Sequence, residues 1–98
     1  MLLHGLMIPR ENMLINFDRP FLRALEKSPT KIKIAFRKRF ALFKRNPQNP
    51  LLRNHKLTGE YKGIYSINIT GDWRALYEIV DNETIVFLLL GTHSQLYK

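Results

Sequence analysis

The chain has 98 residues, enough for one hydrophobic core and too few for two. Hydrophobic residues make up 45%, which excludes a disordered chain, and the formal net charge of +8 points to a polyanionic partner such as nucleic acid or an acidic protein. The absence of cysteine excludes disulfide frameworks and thiolate metal sites; it suits a reducing compartment, with the cytoplasm the expected location.

The first residues, MLLHGLMIPREN, are apolar but carry no basic leader and no small-residue cleavage site, so they do not read as a signal peptide. They read as an N-terminal extension over residues 1–12, with Met13 an alternative start and 13–98 a single domain. MLINF (Met13–Phe17) has the composition of a short strand. Asp18 then offers a capping oxygen, and Pro20 is tolerated in a first helical turn. With Phe21, Leu22 and Leu25 as its apolar stripe, Asp18–Lys27 reads as a short helix. Ser28-Pro29 signals a second helix, with Ser28 as its cap, running to about Arg45. Ile32, Phe36, Phe40 and Phe43 recur at helical spacing and form its buried face, while Lys31, Lys33, Arg37, Lys38, Lys44 and Arg45 lie largely elsewhere on the surface. Asn46-Pro47 ends the helix in the loop NPQNP.

Beyond the loop the period falls from about four residues to two. LLRNHKL reads as a short strand and Thr58-Gly59 as a turn. KGIYSINI places Tyr65, Ile67 and Ile69 on one side and Ile64, Ser66 and Asn68 on the other. After a turn at Thr70-Gly71, DWRALYEIV sets Trp73, Ala75, Tyr77 and Ile79 against Arg74, Leu76, Glu78 and Val80. Asp81-Asn82 has the composition of a two-residue hairpin loop. The run Ile85–Leu90 falls well short of the roughly 20 apolar residues of a membrane span and reads as a central strand. The expected class is α+β: an N-terminal strand and a helical hairpin packed on one face of a small antiparallel sheet. The Trp73 face should meet the helices and the Arg74 face should look outward.

No phosphate loop, dinucleotide fingerprint or HExxH run is present, and the spacing of His4, His55 and His93 does not suggest a zinc site; neither metal nor cofactor is expected. His93, just past the last strand, is either a general acid or a loop histidine held by backbone, and the same pair of readings applies to His55. Asp72 beside a turn is either catalytic or there for backbone reasons. Tyr97 either stacks on a base or closes the core. Arg74, inside an apolar strand, either pairs with Glu78 or awaits an anion such as phosphate.

The segments HKLTG (His55–Gly59), DW (Asp72-Trp73) and GTH…LY (Gly91–His93, Leu96-Tyr97), with the order of elements, resemble the RelE/ParE superfamily of toxin–antitoxin modules, nearest its YafQ-like branch. The resemblance covers Met13 to Lys98. It implies a toxin that cleaves messenger RNA on the ribosome without a metal: a ribose 2′-hydroxyl attacks the neighbouring phosphate. It also implies a cognate antitoxin, contacts to ribosomal RNA, and no membrane or small-molecule cofactor. Carried over residue by residue, it gives His93 as acid, His55 and Asp72 as base or substrate anchor, and Arg74 as phosphate clamp. The RNA-contacting set is Tyr97, Lys56, Asn68, Arg37 and Lys38. The chain departs from the branch at Asn68, where a second histidine is usual, and at Leu89, where an arginine is usual. If Asp81-Asn82 is a two-residue loop, Arg74 lies opposite Leu89, about 5 Å away between Cβ atoms, and can stand in for that arginine. The alternatives are a ParE-like non-nuclease toxin acting on DNA gyrase, or a weakened relic that still binds an antitoxin.

Overall fold

The computed structural model describes residues 13–97; the proposed extension over residues 1–12 lies outside them. Strand β1 (Leu14–Phe17) leads into helices α1 (Arg19–Lys27) and α2 (Thr30–Arg45). A short 3-10 turn (Pro50–Leu52) precedes β2 (His55–Lys56), and another (Gly59–Tyr61) precedes β3 (Tyr65–Thr70). Strands β4 (Trp73–Asp81) and β5 (Thr84–Thr92) form a long hairpin, followed by a one-turn helix α3 (His93–Leu96). The five strands lie in the order β1-β5-β4-β3-β2. The sheet is mixed rather than purely antiparallel, because β1 pairs parallel with β5, Leu14 opposite Thr84 and Phe17 opposite Phe87. The helical hairpin supplies the crossover that a parallel pair requires.

The helix side of the sheet carries the core, as the alternation predicts. Ile67, Ile69, Ala75, Tyr77, Ile85 and Phe87 from the strands meet Phe21, Phe36 and Phe43 from the helices, with Trp73, Ile79 and Phe40 packed around them. Phe87 is the hub of the aromatic packing, its ring 5.6 Å from Phe17, Phe21 and Phe43, 5.9 Å from Phe40 and 5.3 Å from Tyr77. Such offset and edge contacts add to what area burial alone provides. Arg39 ties α2 to the sheet by donating from Nε to the Ile69 carbonyl at 3.0 Å.

Two caps differ from expectation. Asp18 stands at the cap position of α1 but its side chain makes no capping bond. Ser28 does not open α2; its hydroxyl donates to the Leu25 carbonyl at 2.7 Å and closes the end of α1, leaving Pro29 to precede α2. The stretch LLRNHKL yields only the two residues of β2, because Pro50 starts a 3-10 turn and Arg53 follows in the left-handed region at φ 46°.

The hairpin register also differs, and this matters for the site. Asp81 pairs with Thr84, so the tip is Asn82-Glu83, stabilised by the Glu83 N–H donating to the Asp81 carboxylate at 2.8 Å. An irregularity at Val80 and a bulge at Leu88 follow. The net effect is that Arg74 faces Gly91, while Leu89 faces Leu76. The expected pairing of Arg74 with Leu89 is therefore wrong by two positions on β5.

Candidate active site

On the face away from the helices, a cleft of about 530 Å³ opens between the β2 region, β3, β4 and α3. That volume lies in the range of small-ligand sites. His55, His93, Arg74, Asn68 and Tyr97 all line it, so five of the nine site residues expected from sequence are brought together. Arg53, Ser66, Glu60 and Tyr61 complete much of the wall.

His55 enters from β2. Its Nδ1 lies 2.7 Å from the Arg53 carbonyl oxygen. A carbonyl only accepts, so Nδ1 must carry the proton, and in the neutral form of the ring Nε2 presents a free lone pair. The backbone at Arg53 is left-handed, and Arg53 lines the cleft beside His55. The segment is anchored from behind: Tyr77 donates to Asn54 Oδ1 at 2.8 Å, and Asn54 Nδ2 donates to the Pro47 carbonyl at 3.1 Å. Burial pushes the Tyr77 hydroxyl well above the usual phenolic range, so it stays a donor.

His93 opens α3. The cap is a reciprocal pair: the Gln95 N–H donates to Thr92 Oγ1 at 3.2 Å, and the Thr92 N–H donates to Gln95 Oε1 at 2.8 Å. The His93 N–H donates to the Asp72 carbonyl at 2.9 Å, fixing α3 to the β3–β4 turn. The turn of α3 folds back over Gly91, where a Cβ would come within 3.0 Å of Gln95 Oε1. The His93 ring packs 4.6 Å from Tyr97, which meets Tyr61 edge-on at 5.6 Å. The Tyr61 hydroxyl then donates to the Leu96 carbonyl at 2.8 Å. Tyr97 thus acts as a wall of the cleft and a support for His93.

Arg74 does not pair with Glu78. Its Nη1 donates to the carbonyls of Gly71 at 2.9 Å and Trp73 at 3.1 Å. Arg74 itself lines the cleft, and a guanidinium carries further N–H donors beyond those two bonds.

Four expected residues lie elsewhere. Asp72 is exposed in the turn and its carboxylate does not line the cleft; its contribution is the backbone carbonyl that holds His93. Lys56 points to the other face, with Nζ 5.9 Å from the Tyr65 ring. Arg37 and Lys38 are exposed on α2, across the sheet from the cleft. Of the residues the sequence reading passed over, Ser66 had a signal, since it alternates with Asn68 on the outward side of its strand. The left-handed backbone of Arg53 had none. Among the described residues, no group of three His, Asp or Glu side chains is placed to hold a metal ion.

A family model for the bacterial toxin YafQ of type II toxin–antitoxin systems matches residues 12–98. The chain belongs to the YafQ toxin family. Its fold is similar to that of YafQ from E. coli, with a TM-score of 0.67 and 18% identity over 88% of this chain and 99% of that one. It is also similar to a chain in the RelBE2 toxin–antitoxin complex of Mycobacterium tuberculosis, with a TM-score of 0.67 and 27% identity over 84% of this chain and 99% of that one. A third likeness is to a chain of the E. coli DinJ-YafQ toxin–antitoxin complex, with a TM-score of 0.66 and 19% identity over 89% and 99%. No curated protein sequence matches the chain. As a type II toxin of the YafQ family it carries its two cleft histidines on β2 and at the start of α3. No helix among the described residues is long and apolar enough to cross a membrane.

Proposed function

We propose that this YafQ-family toxin is a ribosome-dependent endoribonuclease whose active site is the cleft between His55 and His93. The observation that carries the proposal is the hydrogen bond of His55: Nδ1 is tied to backbone, which leaves Nε2 for proton transfer, in one cleft with a second imidazole and two guanidinium groups. The 2′-oxygen of one ribose attacks the adjoining phosphorus while Nε2 of His55 takes its proton. The bond from phosphorus to the 5′-oxygen breaks, and that oxygen receives a proton from the His93 imidazolium. The products are a 2′,3′-cyclic phosphate and a 5′-hydroxyl, with one proton taken up and one released. Both transfers suit imidazole, whose free pKa lies near the working pH.

Arg74 and Arg53, both lining the cleft, supply the positive charge that the phosphorane requires. Arg74 does so from its place opposite Gly91 and not by standing over Leu89. With the Asp72 carboxylate outside the cleft, the role of base falls to His55. The excess of positive charge, carried partly on α2, suits backbone contacts to ribosomal RNA and to an acidic antitoxin segment. An antitoxin partner is supported by the toxin–antitoxin complexes in which similar folds occur.

The test is cleavage of mRNA on purified ribosomes. Wild-type protein should leave cyclic-phosphate and 5′-hydroxyl ends, and a message with a 2′-deoxy residue at the cut should survive. Leu89, facing Leu76 where the branch usually has an arginine, favours a second reading: a toxin-fold protein that binds an antitoxin but cleaves poorly. Tight antitoxin binding with intact message would establish that reading instead.

A further inference from the structure

We propose that Ser66 is a specificity-determining residue that reads the hydrogen-bonding edge of one nucleobase at the floor of the cleft. The inference rests on the reading of the cleft as an RNA site. Ser66 is 1% exposed, lines the cleft, and its hydroxyl finds no hydrogen-bond partner among the described residues. The other buried serine, Ser28, shows the usual outcome, since its hydroxyl donates to a backbone carbonyl at 2.7 Å. A buried hydroxyl without a partner is unfavourable in the free protein, and native folds rarely carry one without a reason.

The surroundings of Ser66 select among ligands. In the sheet it lies between His55 on β2 and Leu76 on β4, and Leu76 is fully buried. Asn68 follows two residues on along the same face, opposite Arg74. The floor is thus a hydroxyl and an amide, with Leu57 as an apolar side chain of the lining, while the cations belong to Arg53 and Arg74. A phosphate pressed onto a neutral floor would lose its hydration without a countercharge. A nucleobase is neutral and planar, and its edge offers the donors and acceptors that a hydroxyl and an amide can match. Tyr97 in the wall offers an aromatic face to the same base.

The experiment uses four trinucleotides that lack the central 2′-hydroxyl and differ only in the central base, together with ribosome-bound messages carrying the same four bases at the cut. Wild-type protein should bind the best base at least threefold more tightly than the worst. Ser66→Ala should narrow that ratio to less than twofold, as expected for losing one neutral hydrogen bond. The same variant should melt higher by about 2–5 °C, because it removes an unpaired buried hydroxyl. An unchanged ratio, a uniform loss across all four bases, or a lower melting temperature overturns the proposal; the uniform loss would mark a ribose or phosphate contact instead. Discriminating binding that Ser66→Ala abolishes, with no cleavage of any message, upholds base reading and removes the nuclease function. No binding of any oligonucleotide, together with no cleavage of any ribosome-bound message, removes both.

Discussion

The two faces of the sheet are built on different principles. The helix side is a continuous aromatic and aliphatic core in which Phe87 alone touches six other rings. The cleft side is held by single hydrogen bonds to backbone: His55 to the Arg53 carbonyl, Arg74 to Gly71 and Trp73, His93 to Asp72, Tyr61 to Leu96. The core face stores the stability through nonspecific burial, which tolerates small changes of geometry. The cleft face orients titratable and cationic groups, where an error of an ångström matters to chemistry. Mutations on the two faces should therefore separate folding from activity.

The largest separation should come from Phe87→Ala against His93→Ala. Removing the Phe87 ring should cost about 3–5 kcal/mol, a large share of the total stability of a domain this size. Chemical denaturation would read it as a lower midpoint, with activity falling only because less protein is folded. His93→Ala should leave the midpoint within about 0.5 kcal/mol, since the ring is exposed, while cleavage falls about 10²–10⁴-fold. His55→Ala should behave like His93→Ala. If either histidine variant unfolds the protein, or if Phe87→Ala abolishes cleavage while remaining folded, the division between the faces fails.

The same division explains what could be read from sequence. The core face was legible because its signal is periodic: Ile32, Phe36, Phe40 and Phe43 on one helix, Trp73, Ala75, Tyr77 and Ile79 on one strand. Burial reproduces both patterns. The site was legible as a set of residues but not as a geometry. The arginine register depended on where the hairpin turned and on irregularities at Val80 and Leu88, and no residue type announces either of them. A run as apolar as Ile85–Leu90 gives no alternation to betray a slip. Arg53 in a left-handed conformation is likewise unannounced, since glycine or asparagine is the usual occupant. By contrast, the cap of α3 was present in plain sequence as Thr92-x-x-Gln95, a threonine followed three residues later by glutamine. Reading it would have placed His93 at the first position of a helix rather than in a loop.

Tyr77 joins the faces and gives the next prediction. Its ring belongs to the core, 5.1 Å from Phe43, while its hydroxyl holds Asn54 and so the segment that carries His55. Tyr77→Phe should cost about 1 kcal/mol by leaving Asn54 short of a donor, and should lower cleavage several-fold through a misplaced His55. The variant also has a pH signature. Burial raises the folded-state pKa of Tyr77 above the usual value of about 10. The stability linked to this group is complete below pH 10, where both states hold the proton. Above about pH 10 the unfolded chain releases it and the folded protein does not, so stability falls, by up to about 1.4 kcal/mol per pH unit. Denaturation midpoints of wild type should drop more steeply than those of Tyr77→Phe between pH 10 and 11. Parallel curves would mean that the hydroxyl is not buried as described.

Thr92→Ala should likewise change stability little, and it tests whether the cleft face depends on single bonds. The substitution removes the acceptor of the Gln95 N–H and leaves Gln95 bonded only to the Thr92 N–H. Losing a cap costs about 0.5–2 kcal/mol in general. Here the lower end applies, because α3 is one turn long and also held by the Tyr61 hydroxyl and the Asp72 carbonyl. On the core face a change of that size would leave function untouched. On the cleft face it should not, because the first turn of α3 carries His93 and its packing against Tyr97. Cleavage by Thr92→Ala should drop about threefold to tenfold with a midpoint almost unmoved, and Thr92→Ser, which keeps the acceptor oxygen, should restore it. Equal activity in the two variants would show that His93 is held by its aromatic neighbours alone and that the cap serves only to end the strand.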